Sequence, residues 1–143
     1  MRRRRLLAAG LAWAACPALA GEEAALARVN RLRRQAGRAA LRWSPVLAEV
    51  AQAHAEDMAR NGFFAHQGSD GSTISDRVAR AGYGWCRVAE NIARGQRSLD
   101  AAIAGWQGSA GHRRNMLNRD MADLGVARGP GNTWVMVLAR PGC

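Results

Sequence analysis

The sequence predicts an α+β fold in which helices sandwich a small sheet, and three observations lead there. Apolar residues recur at helical spacing through most of the stretch from Glu22 to Leu117. Toward the C-terminus the pattern changes: Leu124-Gly125-Val126-Ala127 and Thr133-Trp134-Val135-Met136-Val137-Leu138 are β-rich, and Gly129-Pro130-Gly131-Asn132 between them completes a hairpin. One extended segment, Arg87 to Ala93, lies among the helices. Helices first, a strand between and a hairpin last bury their apolar faces most simply as layers around one sheet.

The beginning of the chain stands outside that pattern. Arg2 to Arg5 form a positive n-region, and Leu6 to Ala15 are apolar but too few to span a bilayer as a mature helix. Ala18-Leu19-Ala20 then supplies a small-x-small cleavage signal. A secretory signal peptide, residues 1–20, is expected, leaving residues 21–143 as a single domain with no transmembrane segment. Processing removes four arginines and no acids, which lowers the formal charge from +10 to +6. Every basic side chain is arginine, for the chain has no lysine. Cys16 leaves with the leader, so Cys86 and Cys143 remain. An exported chain meets an oxidising compartment, and the even count favours one bridge between them, with two free thiols as the alternative. No His or Cys stands at zinc-finger spacing, which argues against structural zinc.

Glu22 to Gly37 reads as the first helix, with Ala25/Leu26, Val29, Leu32 and Ala36 on one face and Arg28, Arg31, Arg34 and Arg38 as the wet stripe opposite. Leu41-Arg42-Trp43 is a short connection that buries Leu41 and Trp43. Ser44 caps a second helix that starts on Pro45 and stops at Asn61-Gly62. Its apolar stripe is Val46/Leu47, Val50/Ala51, His54 and Met58, so His54 reads mainly as a packed, hydrogen-bonded core residue. Phe63-Phe64-Ala65-His66 leads into the polar loop Gly68 to Ser72, which leaves His66 beside two aromatics in a more typical place for a working imidazole.

Ser72 or Thr73 caps a short third helix through Ile74 and Val78, ended by Gly82. Tyr83 to Cys86 is irregular, and the extended segment after it carries Glu90. Ser98 caps the fourth helix, Asp100 suits its positive end, and Leu99, Ala102/Ile103 and Trp106 face inward. Gly108 and Gly111 break the pattern, so Ser109 to Leu117 becomes a turn and a short helical piece bearing His112.

Several short motifs now fall in a telling order. They are Val29-Asn30-x-x-Arg33, Leu41-x-Trp43, His54-Ala55-x-Asp57-Met58-Ala59, Phe64-Ala65-His66, Ala89-Glu90-Asn91-Ile92-Ala93 and Gly105-Trp106-x-x-Ser109-x-Gly111-His112-Arg113-x-Asn115-Met116-Leu117. From about Ala25 to Arg140 the chain resembles the CAP superfamily, the secreted domains related to cysteine-rich secretory proteins, antigen 5 and plant pathogenesis-related 1 proteins. It looks like the short bacterial branch, without a cysteine-rich extension. The resemblance implies a three-layer α-β-α sandwich, with four main helices around a small antiparallel sheet, and a cleft holding two histidines and two acids. His66 matches the first histidine, Glu90 the first acid and His112 the second histidine. The second acid's place, three positions after Trp106, is taken by Ser109, as is common in bacterial members, and one negative charge is lost.

Three functions compete. The leading one is a secreted or periplasmic, monomeric, non-enzymatic module whose cleft of His66, Glu90, Ser109 and His112 binds a small ligand or a divalent metal. A lipid or sterol is the ligand the resemblance implies. His66 and His112 would share a metal such as zinc while Glu90 orients one imidazole, and no cofactor is required. Two imidazoles and water hold zinc only weakly, since catalytic zinc generally has three protein ligands. The second reading is a hydrolase, a protease, nuclease or esterase, with Ser109 as nucleophile, His112 as base and Glu90 as orienter. Ser109 lies in no strained nucleophile turn, and no oxyanion donors can be named. The third is polyanion binding through the arginine-rich surface, without specific nucleic-acid recognition. A purely structural role remains beside all three: Glu90 hydrogen-bonded to His112, locking strand to helix.

Overall fold

The computed structural model describes residues 17–143. In chain order its elements are α1 (Pro17–Gln35), β1 (Arg42–Trp43), α2 (Pro45–Asn61), α3 (Ile74–Arg80), β2 (Trp85–Arg94), α4 (Leu99–Gly108), α5 (Ala110–Met116), β3 (Asp123–Gly129) and β4 (Thr133–Pro141). The expected n-region and apolar stretch of a leader lie outside the described residues, and the expected cut after Ala20 falls within α1.

The four strands lie in the order β1-β3-β4-β2. Central β4 runs antiparallel to both β2 and β3, while β1 joins the far edge parallel to β3 through Arg42↔Asp123 and Trp43↔Leu124. The sheet is therefore mixed rather than wholly antiparallel, and the connection at Leu41 to Trp43 is partly a strand. Two residues carry too little alternation to be read as one. The fifth helix is the short helical piece expected to carry His112: Ser109 is extended (φ −105°, ψ 124°) and separates α4 from α5. β2 starts at Trp85, earlier than the sequence suggests, with a register shift between Trp85 and Arg87.

Helices cover both faces of the sheet and make two cores. Trp134, Met136 and Leu138 of β4 pack with Val29 of α1, Ile103 and Trp106 of α4 and Met116 of α5. Val135, Val137 and Ala139 alternate with them and pack against Leu47, Val50, Ala51, Ala55 and Met58 of α2 and Val78 of α3. A strand buried on both faces has no polar side to show, which is why β4 reads as one unbroken apolar run.

The local start and stop signals hold as expected. Ser44 accepts the Leu47 N–H to cap α2, and Gly62, at φ +67°, ends it with its own N–H on the Met58 carbonyl. Thr73 and Asp76 form a reciprocal capping box on α3, and Ser98 caps α4. One expectation for α1 fails. Arg38 lies past the helix's last residue and donates to the Leu117 carbonyl at 2.9 Å, so it is not part of a wet helical stripe. Arg33, fully buried, donates to the carbonyls of Ala39, Met116 and Asn118 at 2.8–2.9 Å. The two guanidiniums take up carbonyls at the end of α5, which its own helix leaves unpaired.

Candidate functional site

The site is built across β2, the edge strand beside β4. Successive side chains of a strand leave on opposite faces. Glu90 accordingly points to the layer of α2 and α3, and Asn91 points to the layer of α4 and α5.

Glu90 has a carboxylate with 1% exposure and both oxygens engaged. Oε1 accepts from His66 Nδ1 at 2.8 Å, and Oε2 accepts from Arg77 at 2.7 Å. Arg77 reaches it from α3 and also donates to the carbonyls of His66 at 2.9 Å and Ser72 at 3.1 Å. One guanidinium thus pins both the carboxylate and the loop that carries His66. Both Glu90 oxygens and both terminal nitrogens of Arg77 are hydrogen-bonded, which offsets the desolvation of the pair, while Arg77 Nε is buried without a partner among the described residues. That loop is further fixed by Asp57 of α2, which accepts the Ser69 N–H at 2.9 Å.

His54 lies beneath. Its Nε2 donates to the Ala65 carbonyl at 2.8 Å, which assigns the proton to that nitrogen. Nδ1 is buried without a partner among the described residues. Nε2 also stands 3.8 Å from Glu90 Oε1, but desolvation depresses the His54 pKa despite the carboxylate. The ring is therefore neutral near neutral pH, and the contact is no ion pair. As the sequence suggests, His54 is a packed core histidine. It supports the His66 loop through Ala65.

Asn91 does the corresponding work on the other face. Its Nδ2 donates to the His112 carbonyl at 3.1 Å, and its Oδ1 accepts from Asn115 at 2.8 Å. Asn115 also lies 3.4 Å from the Glu90 carbonyl. These bonds fasten α5, which carries His112, to β2. Desolvation first, then the charge of His66, lowers the His112 pKa. The hydrogen bond to Glu90 outweighs desolvation at His66 and raises its pKa. Its side chain is 57% exposed.

Of the residues singled out from sequence, His66 and Glu90 are in direct contact, and His112 is carried by the helix that Asn91 and Asn115 fasten to the same strand. Ser109 sits at the α4–α5 junction, and its side chain makes no cap hydrogen bond. Glu90 bonds His66 and Arg77 rather than His112, so the expected strand-to-helix lock is made by Asn91 instead. Among the described residues no group of three His, Cys, Asp or Glu side chains is arranged to hold a metal. Two contributors were missed, Arg77 and Asn91. A signal existed for the first: Arg77 lies at i+3 from Ile74 and next to Val78, on the buried stripe of its helix, where an arginine needs a partner. Cys86 and Cys143 form the expected disulfide.

No helix among the described residues is long and apolar enough to cross a membrane. Comparison with known proteins bears on the whole arrangement. YlbC of Bacillus subtilis strain 168, described as an uncharacterized membrane protein, is 37% identical over 105 residues, covering 73% of this chain and 30% of its own length. The crystal structure of an extracellular protein containing an SCP domain, from Bacillus anthracis strain Ames, superposes with a TM-score of 0.81 at 30% identity. That match covers 85% of this chain and 41% of the other. This chain thus spans less than half the length of either relative. An outer surface protein of Borrelia burgdorferi shares the fold, with a TM-score of 0.77 at 20% identity over 84% of this chain and 92% of that one. The sequence model of the cysteine-rich secretory protein family, CAP, matches residues 26–138, and the chain belongs to that family.

Proposed function

We propose that this chain is an exported CAP domain, secreted or periplasmic, that acts by binding rather than catalysis, and that His66 and His112 present a weak divalent-metal site. The observation that carries this reading is the Arg77–Glu90–His66 relay. A carboxylate accepting at Nδ1 fixes the proton there and leaves the lone pair of His66 on Nε2, in a ring more than half exposed. His112, whose depressed pKa keeps it neutral, supplies a second imidazole. Because Glu90 is buried and doubly bonded, it suits orienting an imidazole better than taking a proton. The extended backbone at Ser109, and a Glu90 turned away from His112, favour binding over a Ser109–His112–Glu90 hydrolase. Export is supported by the leader-like N-terminus, by the disulfide, and by similarity to proteins described as extracellular or as outer surface proteins.

A second reading, a lipid or sterol ligand, has its own observation. A hollow of about 530 Å³ between α1, α2 and the β3–β4 sheet is lined by Trp43, Leu99, Val126 and Trp134. Trp43, one of these lining residues, also keeps its indole Nε1 buried without a partner among the described residues.

Calorimetric titration with zinc tests the first reading. The chain is expected to bind one zinc weakly, His66→Ala and His112→Ala each to weaken it by at least about tenfold, and Glu90→Gln by roughly tenfold. Equal binding by the wild type and both alanine variants would remove these residues from any metal site. Mass spectrometry of a lipid extract from the purified protein, compared with Trp43→Phe, tests the second.

A further inference from the structure

A second basic feature of the surface is walled by residues other than His66. An open groove of about 570 Å³ runs between the turn after α1 and the end of α5, with Arg38, Arg113, Arg114 and Arg119 in its walls. The last three are exposed and Arg38 is half-buried. One acid, Asp120, also lines the groove, and it stands 3.8 Å from Arg87. Among the described residues no carboxylate pairs with any of the four arginines.

Two of the four are held by backbone. Arg38 donates to the carbonyls of Leu117 at 2.9 Å and Ala36 at 3.2 Å, and Arg113 donates to the Gln107 carbonyl at 2.8 Å. Their positions are thus set by the fold, not by an acid that would neutralise them. Behind Arg38 lies Arg33, buried, with its Nη2 unpartnered among the described residues. Desolvation and then the nearby charge of Arg38 push the Arg33 pKa down.

We propose that this groove binds phosphate-bearing anions, with Arg113, Arg114 and Arg119 gripping the oxyanion and Arg38 forming its inner wall. Guanidinium forks match phosphate oxygens two at a time, which a scatter of surface charges does not. The groove has room for a phosphorylated head group as well as a free oxyanion. The arginine stripe of α1 is a separate feature: Arg28 pairs with Asp100, and Arg31 and Arg34 line a different hollow. The groove does not depend on the His66 reading, and it gives the chain's basic character a specific place.

Titration with inorganic pyrophosphate, and with phosphatidylcholine vesicles lacking or containing phosphatidic acid, tests it at low salt and at about 0.15 M. The double variant Arg114→Ala/Arg119→Ala is expected to lose on the order of tenfold or more in affinity, with its circular dichroism unchanged. Arg31→Ala/Arg34→Ala removes the same charge from α1 and is expected to stay within about twofold of wild type. His66→Ala is expected to bind as wild type does, which separates this site from the metal site. Selective loss with pyrophosphate supports a site for free phosphate groups. Binding only to vesicles with phosphatidic acid, lost in the groove variant alone, supports a lipid headgroup. Equal losses in both double variants, or no binding of either probe at low salt, overturn the proposal.

Discussion

Glu90 and Asn91 are neighbours in sequence that serve opposite layers, and the two imidazoles respond differently as a result. His66 gains a carboxylate partner, and its pKa rises above 6.5. Its contribution to stability is therefore fully present below the unfolded value and lost as pH rises through the raised one. His54 and His112 have depressed values, so their contributions are present above 6.5 and lost as pH falls through the lowered ones. Urea denaturation of the wild type and His66→Ala should differ more at about pH 5.5 than at about pH 8.5, by under about 1 kcal/mol because the ring is largely solvated. A difference that is flat or grows with pH would contradict the His66–Glu90 bond. Zinc affinity should fall as pH drops through the raised pKa, since the proton competes for Nε2. The motifs made His66, Glu90 and His112 legible. They did not reveal Arg77, which acts through a contact thirteen residues along the chain that only the packing of α3 on β2 creates.

The elements were legible to the extent that their signals are local. Caps at Ser44, Thr73 and Ser98 and the stop at Gly62 depend on a few adjacent residues, and they stand as expected. β1 and the first residues of β2 were not legible, because pairing with distant strands defines them. Gly125 of β3 shows how tightly elements meet. A Cβ there would lie 2.2 Å from the Ala48 nitrogen and 2.3 Å from the Leu47 carbonyl carbon, both backbone atoms of α2. Gly125→Ala must push the helix off the sheet and should cost at least about 1–3 kcal/mol in a denaturant titration. Gly108→Ala, where a Cβ meets nothing within 4 Å, should be neutral or stabilising by up to about 1 kcal/mol. Equal effects at the two positions would mean that α2 does not sit directly on β3.

At the scale of the whole molecule the Cys86–Cys143 bridge ties the start of β2 to the chain's last residue, with Cα atoms 5.5 Å apart. It closes a loop over 57 positions, and Cys143→Ser should lower stability by about 2–4 kcal/mol in non-reducing buffer. Wild type in reducing buffer should then match the variant, and an unchanged unfolding midpoint in both would show that the bridge constrains little. The sequence by itself determined the class of fold, the helix boundaries to within a few residues, the hairpin, the cysteine pairing and the three polar residues worth watching. Each of these rests on periodicity, caps, turn chemistry or motif spacing, which act over short stretches. Only the tertiary structure decided that Glu90 bonds His66 and Arg77 rather than His112. It also decided that Arg33 is buried and that Arg38 meets Arg113, Arg114 and Arg119 in one groove. Those outcomes join residues up to 85 positions apart, and a strand's alternation and the layering of helices over two faces set them, not any local pattern.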